Sequence, residues 1–308
     1  MDSTELPGNS VNEGRRVWWD WAAALFLFLC TSATVIWQNS RLAVLWDLSY
    51  VLENSYRISL GDFPYRDFPF PYAPGTFLIQ SLLIRLTGRV FFHHVLYCAI
   101  VGGLGTILTW RILIHVLSGS LPTFRLVAFL LAAPLTVLGI YCVFPHPFYD
   151  PDCTFAILCG ILLLLQLERK GFPPLRAFFT GIMLVIPFFV KQNTGLAFLA
   201  TAAMAVIILI AREAWCRQRV SGYAWLTTGM AAGLAGVMLV LHLTVGLRNY
   251  FHWTIQFAAS RRLPRLSEMF APYRNPLLLL WFAAFAVGAL LLWRNRRSSQ
   301  MLFFCLSP

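Results

Sequence analysis

The run VWWDWAAALFLFLCTSATVIWQ, Val17 to Gln38, holds a single acid, Asp20, among Trp, Ala, Leu and Phe. At 1.5 Å per residue, a helix of this length crosses the roughly 30 Å hydrocarbon core of a bilayer. No small-x-small cleavage site accompanies it, so it reads as a retained anchor rather than a signal peptide. Similar apolar runs follow at Phe91 to Leu117, Leu126 to Phe144, Cys153 to Leu167, Leu175 to Val190, Leu196 to Ala211, Tyr223 to Val245 and Leu277 to Trp293. Together they predict an all-α polytopic membrane protein with about eight transmembrane helices.

Composition supports that class. A chain of 308 residues that is 58% hydrophobic and 12% charged cannot hide its apolar surface in one water-soluble core, since soluble domains carry roughly 25% charged residues. The formal charge of +11 does not indicate nucleic acid, because the excess Lys and Arg sit mostly at the ends of apolar runs rather than on a solvated basic face. Seven Cys lie scattered without a CxxC pair, which excludes a zinc-ribbon or disulfide framework. Cys142 and Cys153 flank one loop and are candidates for a disulfide in an oxidising compartment, although buried thiols are the commoner case. The polar residues 1–14 are expected to be disordered and cytoplasmic, residues 15–300 to form one transmembrane domain, and residues 301–308 to begin a further span that stops short.

Short-loop charge fixes an expected orientation. Arg15, Arg16, Arg111, Arg125, Arg169, Lys170, Arg176, Arg212, Arg217, Arg219, Arg294, Arg296 and Arg297 fall on one face when the spans alternate, and that face is cytoplasmic by the positive-inside rule. The opposite face receives Asp47, Glu53, Asp62, Asp67, Asp150, Asp152 and Glu268. Acidic groups therefore converge outside, mostly in the loop from Trp46 to Gly75.

Within that loop, Leu48, Val51, Leu52 and Tyr56 recur at helical spacing and predict a short interfacial helix over Ser49 to Leu60, stopped by Gly61. Asp47 suits two compatible roles: N-cap of that helix, or a general base at the membrane edge. The stretch DFPYRDFPFPYAPG, Asp62 to Gly75, is too Pro-rich for a helix and predicts extended backbone with exposed aromatics. Arg66 beside Asp67 is either a plain ion pair or, with Tyr65 and Tyr72, part of a sugar-binding groove of rings and carboxylates.

A first span, an acid at its outer end, then the pattern G-x-x-P-Y-x-D-F…Y-x-P-G from Gly61 to Gly75 resembles the first external loop of the GT-C superfamily of integral-membrane glycosyltransferases. The branch containing protein O-mannosyltransferases and the aminoarabinose transferase of lipid A is the one it is most similar to. The resemblance implies a GT-C-like fold, an external active site, a polyprenyl-phosphate sugar donor and Asp47 as the catalytic carboxylate. Many relatives carry Asp-Glu at that position, whereas Leu48 follows Asp47 here.

Asp150-Pro151-Asp152 suits either a Mg²⁺ or Mn²⁺ site, with His146 nearby in sequence, or the start of the next helix. The first reading resembles the D-x-D of oligosaccharyltransferase relatives in the same superfamily. Lys191, in the connection Lys191-Gln192-Asn193-Thr194-Gly195, is one of two lysines in the chain; it either snorkels to headgroups or, by the same resemblance, contacts the donor phosphate. Arg261, Arg262 and Arg265 adhere to anionic lipid headgroups or grip that phosphate as it leaves. No P-loop, Rossmann fingerprint or HExxH is present, so the expected partners are a polyprenyl-phosphate sugar, a lipid, glycan or protein acceptor, and the bilayer. A bacterial inner membrane with the active site facing the periplasm is the expected location. A transporter or flippase of a lipid-linked substrate is the main alternative and predicts ionisable residues inside the spans; a non-catalytic or truncated membrane subunit is another.

Overall fold

The computed structural model describes residues 8–41, 45–118, 122–215, 221–262 and 266–295. In chain order the helices are α1 (Gly8–Asn39), α2 (Leu45–Leu60), α3 (Gly75–Thr87), α4 (Phe91–Leu117), α5 (Phe124–Ala132), α6 (Leu135–Leu138), α7 (Tyr149–Arg169), α8 (Pro174–Val190), α9 (Gln192–Trp215), α10 (Ser221–Thr244) and α11 (Leu247–Phe251). A π-helical turn (His252–Gln256), α12 (Phe257–Arg262), α13 (Leu266–Met269), a 3₁₀ turn (Ala271–Arg274) and α14 (Pro276–Asn295) complete them. The described residues contain no β-strand, only an isolated bridge between Pro64 and Phe68.

Among the described residues, five segments are long and apolar enough to cross a membrane: Trp18–Asn39, Phe91–Leu117, Tyr149–Arg169, Gln192–Ala211 and Ser221–Thr244. Their outward faces are apolar as well. Leu25, Leu29, Leu196, Met204, Ile207, Leu239 and Leu243 are all exposed, as expected of helices surrounded by lipid rather than water. The chain is thus an all-helical protein of membrane type. Of the other expected spans, Leu277 to Trp293 lies within α14, and two come out short or broken. Leu126 to Phe144 is interrupted because Pro134 has no N–H to continue the ladder; α5 ends at Ala132, α6 is one turn, and Tyr141 then takes a positive φ of 64°. Leu175 to Val190 forms α8, which at 17 residues is shorter than the spanning helices.

The chain forms two compact units. One holds residues 1–45 and 90–147, the other residues 46–89 and 148–308. In the first, α1 packs on α4 through small residues: Thr31 Oγ1 donates to Thr106 Oγ1 (3.0 Å), Ser32 Oγ donates to the Ala99 carbonyl (2.9 Å), and a Cβ at Gly103 would meet the Phe28 ring at 2.6 Å. Trp110 is buried with Leu27, Ala128 and Ala132. Helix α1 begins at Gly8, so the second half of the segment expected to be disordered is helical. Cys142 and Cys153 are free thiols.

In the second unit α8 is central, packing on α7, α9 and α10. Gly181 of α8 lies against the Leu226 carbonyl of α10, and Gly229 of α10 lies against the Phe178 carbonyl of α8, so the two backbones approach as only small residues permit. The segment between the last two apolar runs, Gly246 to Asn275, is largely helical among its described residues. Gly246 at φ 80° starts α11, Tyr250 buries its ring, and Thr254 Oγ1 donates back to the Tyr250 carbonyl (2.7 Å).

Candidate functional site

The Pro-rich stretch folds as a support. Gly61, at φ 109°, ends α2, and the Asp62 N–H returns to the Arg57 carbonyl (3.1 Å). Asp67 then closes a tight turn: its carboxylate accepts the Phe63 N–H (2.7 Å) and a two-pronged contact from Arg66 (2.9 and 3.0 Å). From Phe68 to Tyr72 the chain is extended, and side chains alternate with period two: Phe68 and Phe70 are buried while Pro69 is exposed. The expectation of exposed aromatics is therefore corrected for Tyr65, Phe68 and Phe70, which turn inward onto Phe77, Phe189, Val245 and Tyr250. Tyr65 is 2% exposed and its hydroxyl donates to the Tyr72 carbonyl (2.6 Å). It is a core residue rather than a groove residue. Arg66 and Asp67 are exposed, with Arg66 stacked on Phe63 (4.3 Å) and a long contact from its guanidinium to the Thr244 carbonyl (3.4 Å).

On this floor, helix ends bring charged groups together. Tyr149 opens α7 with Asp150 and Asp152 in its first turn, as the Pro-spaced acids allow. Lys191 is the single extended residue between α8 and α9, so the connection expected to run to Gly195 is shorter than anticipated. Gly195 permits this, because a Cβ there would collide with the backbone of Pro187 and Phe188. Gly75 acts likewise at the start of α3: a Cβ would meet the Phe189 carbonyl at 2.8 Å and Val190 at 2.9 Å. The glycines at both ends of the recognisable motifs thus fix where Lys191 stands. Its Nζ pairs with Asp150 and lies 5.6 Å from the Tyr149 ring centre.

Tyr149 is the hub of the cluster. Its ring stacks on Tyr72 (5.2 Å, 29° between planes), and Tyr72 meets Tyr50 edge-on (5.3 Å). The Tyr149 phenol lies within electrostatic reach of both Asp150 and Asp47. Asp47 is exposed in the first turn of α2, which starts at Leu45, so it stands inside the helix rather than capping it. Burial, helped by Tyr72, Tyr149 and Glu53, pushes the Tyr50 phenol above its usual range. Burial likewise raises Tyr65 well above that range and Tyr250 to about 12. These phenols stay neutral near pH 7 and act as hydrogen-bonding groups.

Asp150 and Asp152 diverge. Two residues apart on a helix, side chains lie about 200° apart; Asp150 goes to Lys191 while buried Asp152 accepts the Thr76 hydroxyl (2.7 Å). Among the described residues no three His, Cys, Asp or Glu side chains gather as a metal group, and His146 is buried in the unit holding residues 90–147. Arg265 lies outside the described residues, and for Arg261 and Arg262 only the backbone, at the end of α12, is described. His252 Nδ1 meets Gln256 Oε1 (3.1 Å) on an exposed face.

Sequence reading missed Tyr50, Thr76 and Tyr149. Tyr50 follows Asp47 by three positions, one helical face, and Tyr149 precedes Asp150 directly; both signals were present but are weak in a chain rich in aromatics. Comparison with protein-family models, with curated proteins and with solved structures returns no match.

Proposed function

We propose that the protein is a membrane glycosyltransferase of GT-C type, acting at the end of the second unit where α2, α7 and the α8–α9 connection meet. The observation that carries this reading is the placing of a carboxylate, Asp47, and an ammonium, Lys191, about one aromatic residue, Tyr149. Such a pairing suits the displacement of a lipid-linked phosphate. An acceptor hydroxyl gives its proton to Asp47 as its oxygen attacks the anomeric carbon of a polyprenyl-phosphate sugar. The bond from that carbon to the phosphate oxygen breaks with inversion, and the polyprenyl phosphate leaves with the electron pair. Lys191 stabilises the departing phosphate by exchanging its Asp150 partner for the phosphate oxygens, while the partly exposed rings of Tyr72 and Tyr149 offer apolar surface to the sugar. A divalent ion, where bound, would neutralise the phosphate beside Asp150, the carboxylate of the two that is not buried against Thr76.

The test is transfer in proteoliposomes supplied with radiolabelled polyprenyl-phosphate sugars and mixed acceptors. Asp47→Asn is expected to lower turnover by about 10²- to 10⁴-fold while leaving helix content unchanged. Full activity in that variant overturns the assignment of Asp47. Absence of turnover by the wild type with every donor, together with passage of the labelled lipid across the bilayer, favours a flippase instead.

A further inference from the structure

A second concave feature lies at the other end of the same unit. Between the last turns of α7 and the first of α8 is an open cavity of about 450 Å³, within the ~300–1,000 Å³ range of small-molecule sites. Its walls are apolar, formed by Leu163, Leu167, Phe179 and Met183, and its lining includes two cations, Lys170 and Arg176, and no carboxylate. Lys170 follows the end of α7, where a cation favours the helix dipole. Arg176, in the first turn of α8, opposes it, so helix stability does not account for its position. Among the described residues neither takes part in an ion pair. Along α7, Asp150 and Lys170 are separated by about 30 Å at 1.5 Å per residue, one hydrocarbon thickness. The cavity therefore opens at the membrane boundary opposite Asp47, where headgroups meet acyl chains.

We propose that this cleft binds an anionic phospholipid, its phosphate held between Lys170 and Arg176 and one acyl chain laid along Leu163, Leu167, Phe179 and Met183. The combination of an apolar trough and two cations at its charged end matches an anionic amphiphile better than a zwitterionic one, in which a choline group would meet like charge.

Native mass spectrometry of the full chain in non-ionic detergent tests this, with phosphatidylglycerol and phosphatidylcholine of identical chains as probes. The wild type is expected to retain phosphatidylglycerol about tenfold better, and the Lys170→Gln/Arg176→Gln variant to retain both lipids alike. Leu163→Trp, which fills the trough while keeping both cations, is expected to lose phosphatidylglycerol binding; Arg111→Gln, a cation of the other unit, is expected to keep it. Equal retention of the two lipids by the wild type, or an unchanged preference in the double variant, overturns the proposal. Displacement of the lipid by millimolar glycerol phosphate overturns the acyl-chain part, leaving a free-phosphate site. The readout is lipid retention alone and does not depend on whether Asp47 catalyses transfer.

Discussion

The contact between α1 and α4 and the cluster around Tyr149 both place polar atoms beside apolar helices, and they do so by different chemistry. Between α1 and α4 the polar groups are short hydroxyls. The Thr31 hydroxyl lies between the Leu27 carbonyl (2.8 Å) and Thr106 Oγ1 (3.0 Å), and Ser32 donates to the Ala99 carbonyl, so each is satisfied without a charge. Around Tyr149 the groups are carboxylates, an ammonium and phenols whose partners are one another. Packing helices requires only the first kind. Charges gathered at the ends of apolar helices are not needed for packing, and they are the groups that the proposed chemistry uses.

Removing the ammonium breaks this contrast most severely. Lys191→Ala is expected to lower transfer by about 10²-fold or more, with the loss falling on the donor, and Lys191→Arg to recover part of it. Thr31→Val, which removes a fully buried hydroxyl from the α1–α4 contact, is expected to leave transfer near the wild-type rate. Steady-state kinetics over a donor titration distinguish the two. A loss in Thr31→Val as large as in Lys191→Ala would mean that both regions act only through packing.

Packing itself gives the next effect. A Cβ at Gly229 would overlap the Phe178 carbonyl, which is backbone, whereas one at Gly103 would meet the Phe28 ring and the Ser32 hydroxyl, which can rotate away. Gly229→Ala is therefore expected to destabilise by about 1–3 kcal/mol, and Gly103→Ala by less. Thermal unfolding in detergent measures both. A smaller still but specific cost, about 1–2 kcal/mol, is expected for Tyr65→Phe, which leaves the half-buried Tyr72 carbonyl without its 2.6 Å donor.

What could be read from the chain follows from these same forces. Phe91 to Leu117 was legible to the residue, because an apolar run between polar turns has one solution in a bilayer. Leu126 to Phe144 was not, because hydropathy averages over Pro134 while the backbone cannot. In the site, Asp47, Asp150 and Lys191 stood out as charges in an apolar sequence; Asp150 and Lys191 pair, and Asp47 lies within electrostatic reach of Tyr149. Tyr65 misled, since its hydroxyl advertises a ligand contact while its burial depends on the register of an extended segment that composition does not encode. Tyr50 and Tyr149 stood out only weakly for the opposite reason: besides their near neighbours in the chain, they meet Tyr72, 22 and 77 residues away.

Asp67 is a carboxylate of the same loop that closes a turn through Phe63 and Arg66, and its titration sharpens the comparison with Asp47. The Arg66 guanidinium, then the Phe63 N–H, hold the Asp67 carboxyl below the usual carboxylate range. A depressed folded pKa means that its contribution to stability is complete above the unfolded value, near 3.9, and is lost as pH falls through the folded one. Because the pair is exposed to water, the effect is expected to be smaller than that of Tyr65→Phe. Thermal midpoints from pH 6 to pH 3 should show Asp67→Asn slightly less stable than wild type at pH 6, with the two converging in acid, and transfer activity at pH 7 equal in both. A gap that persists at pH 3 would assign the turn's stability to something other than the Asp67 charge. A loss of transfer in Asp67→Asn comparable to that in Asp47→Asn would move the reactive site onto the loop itself.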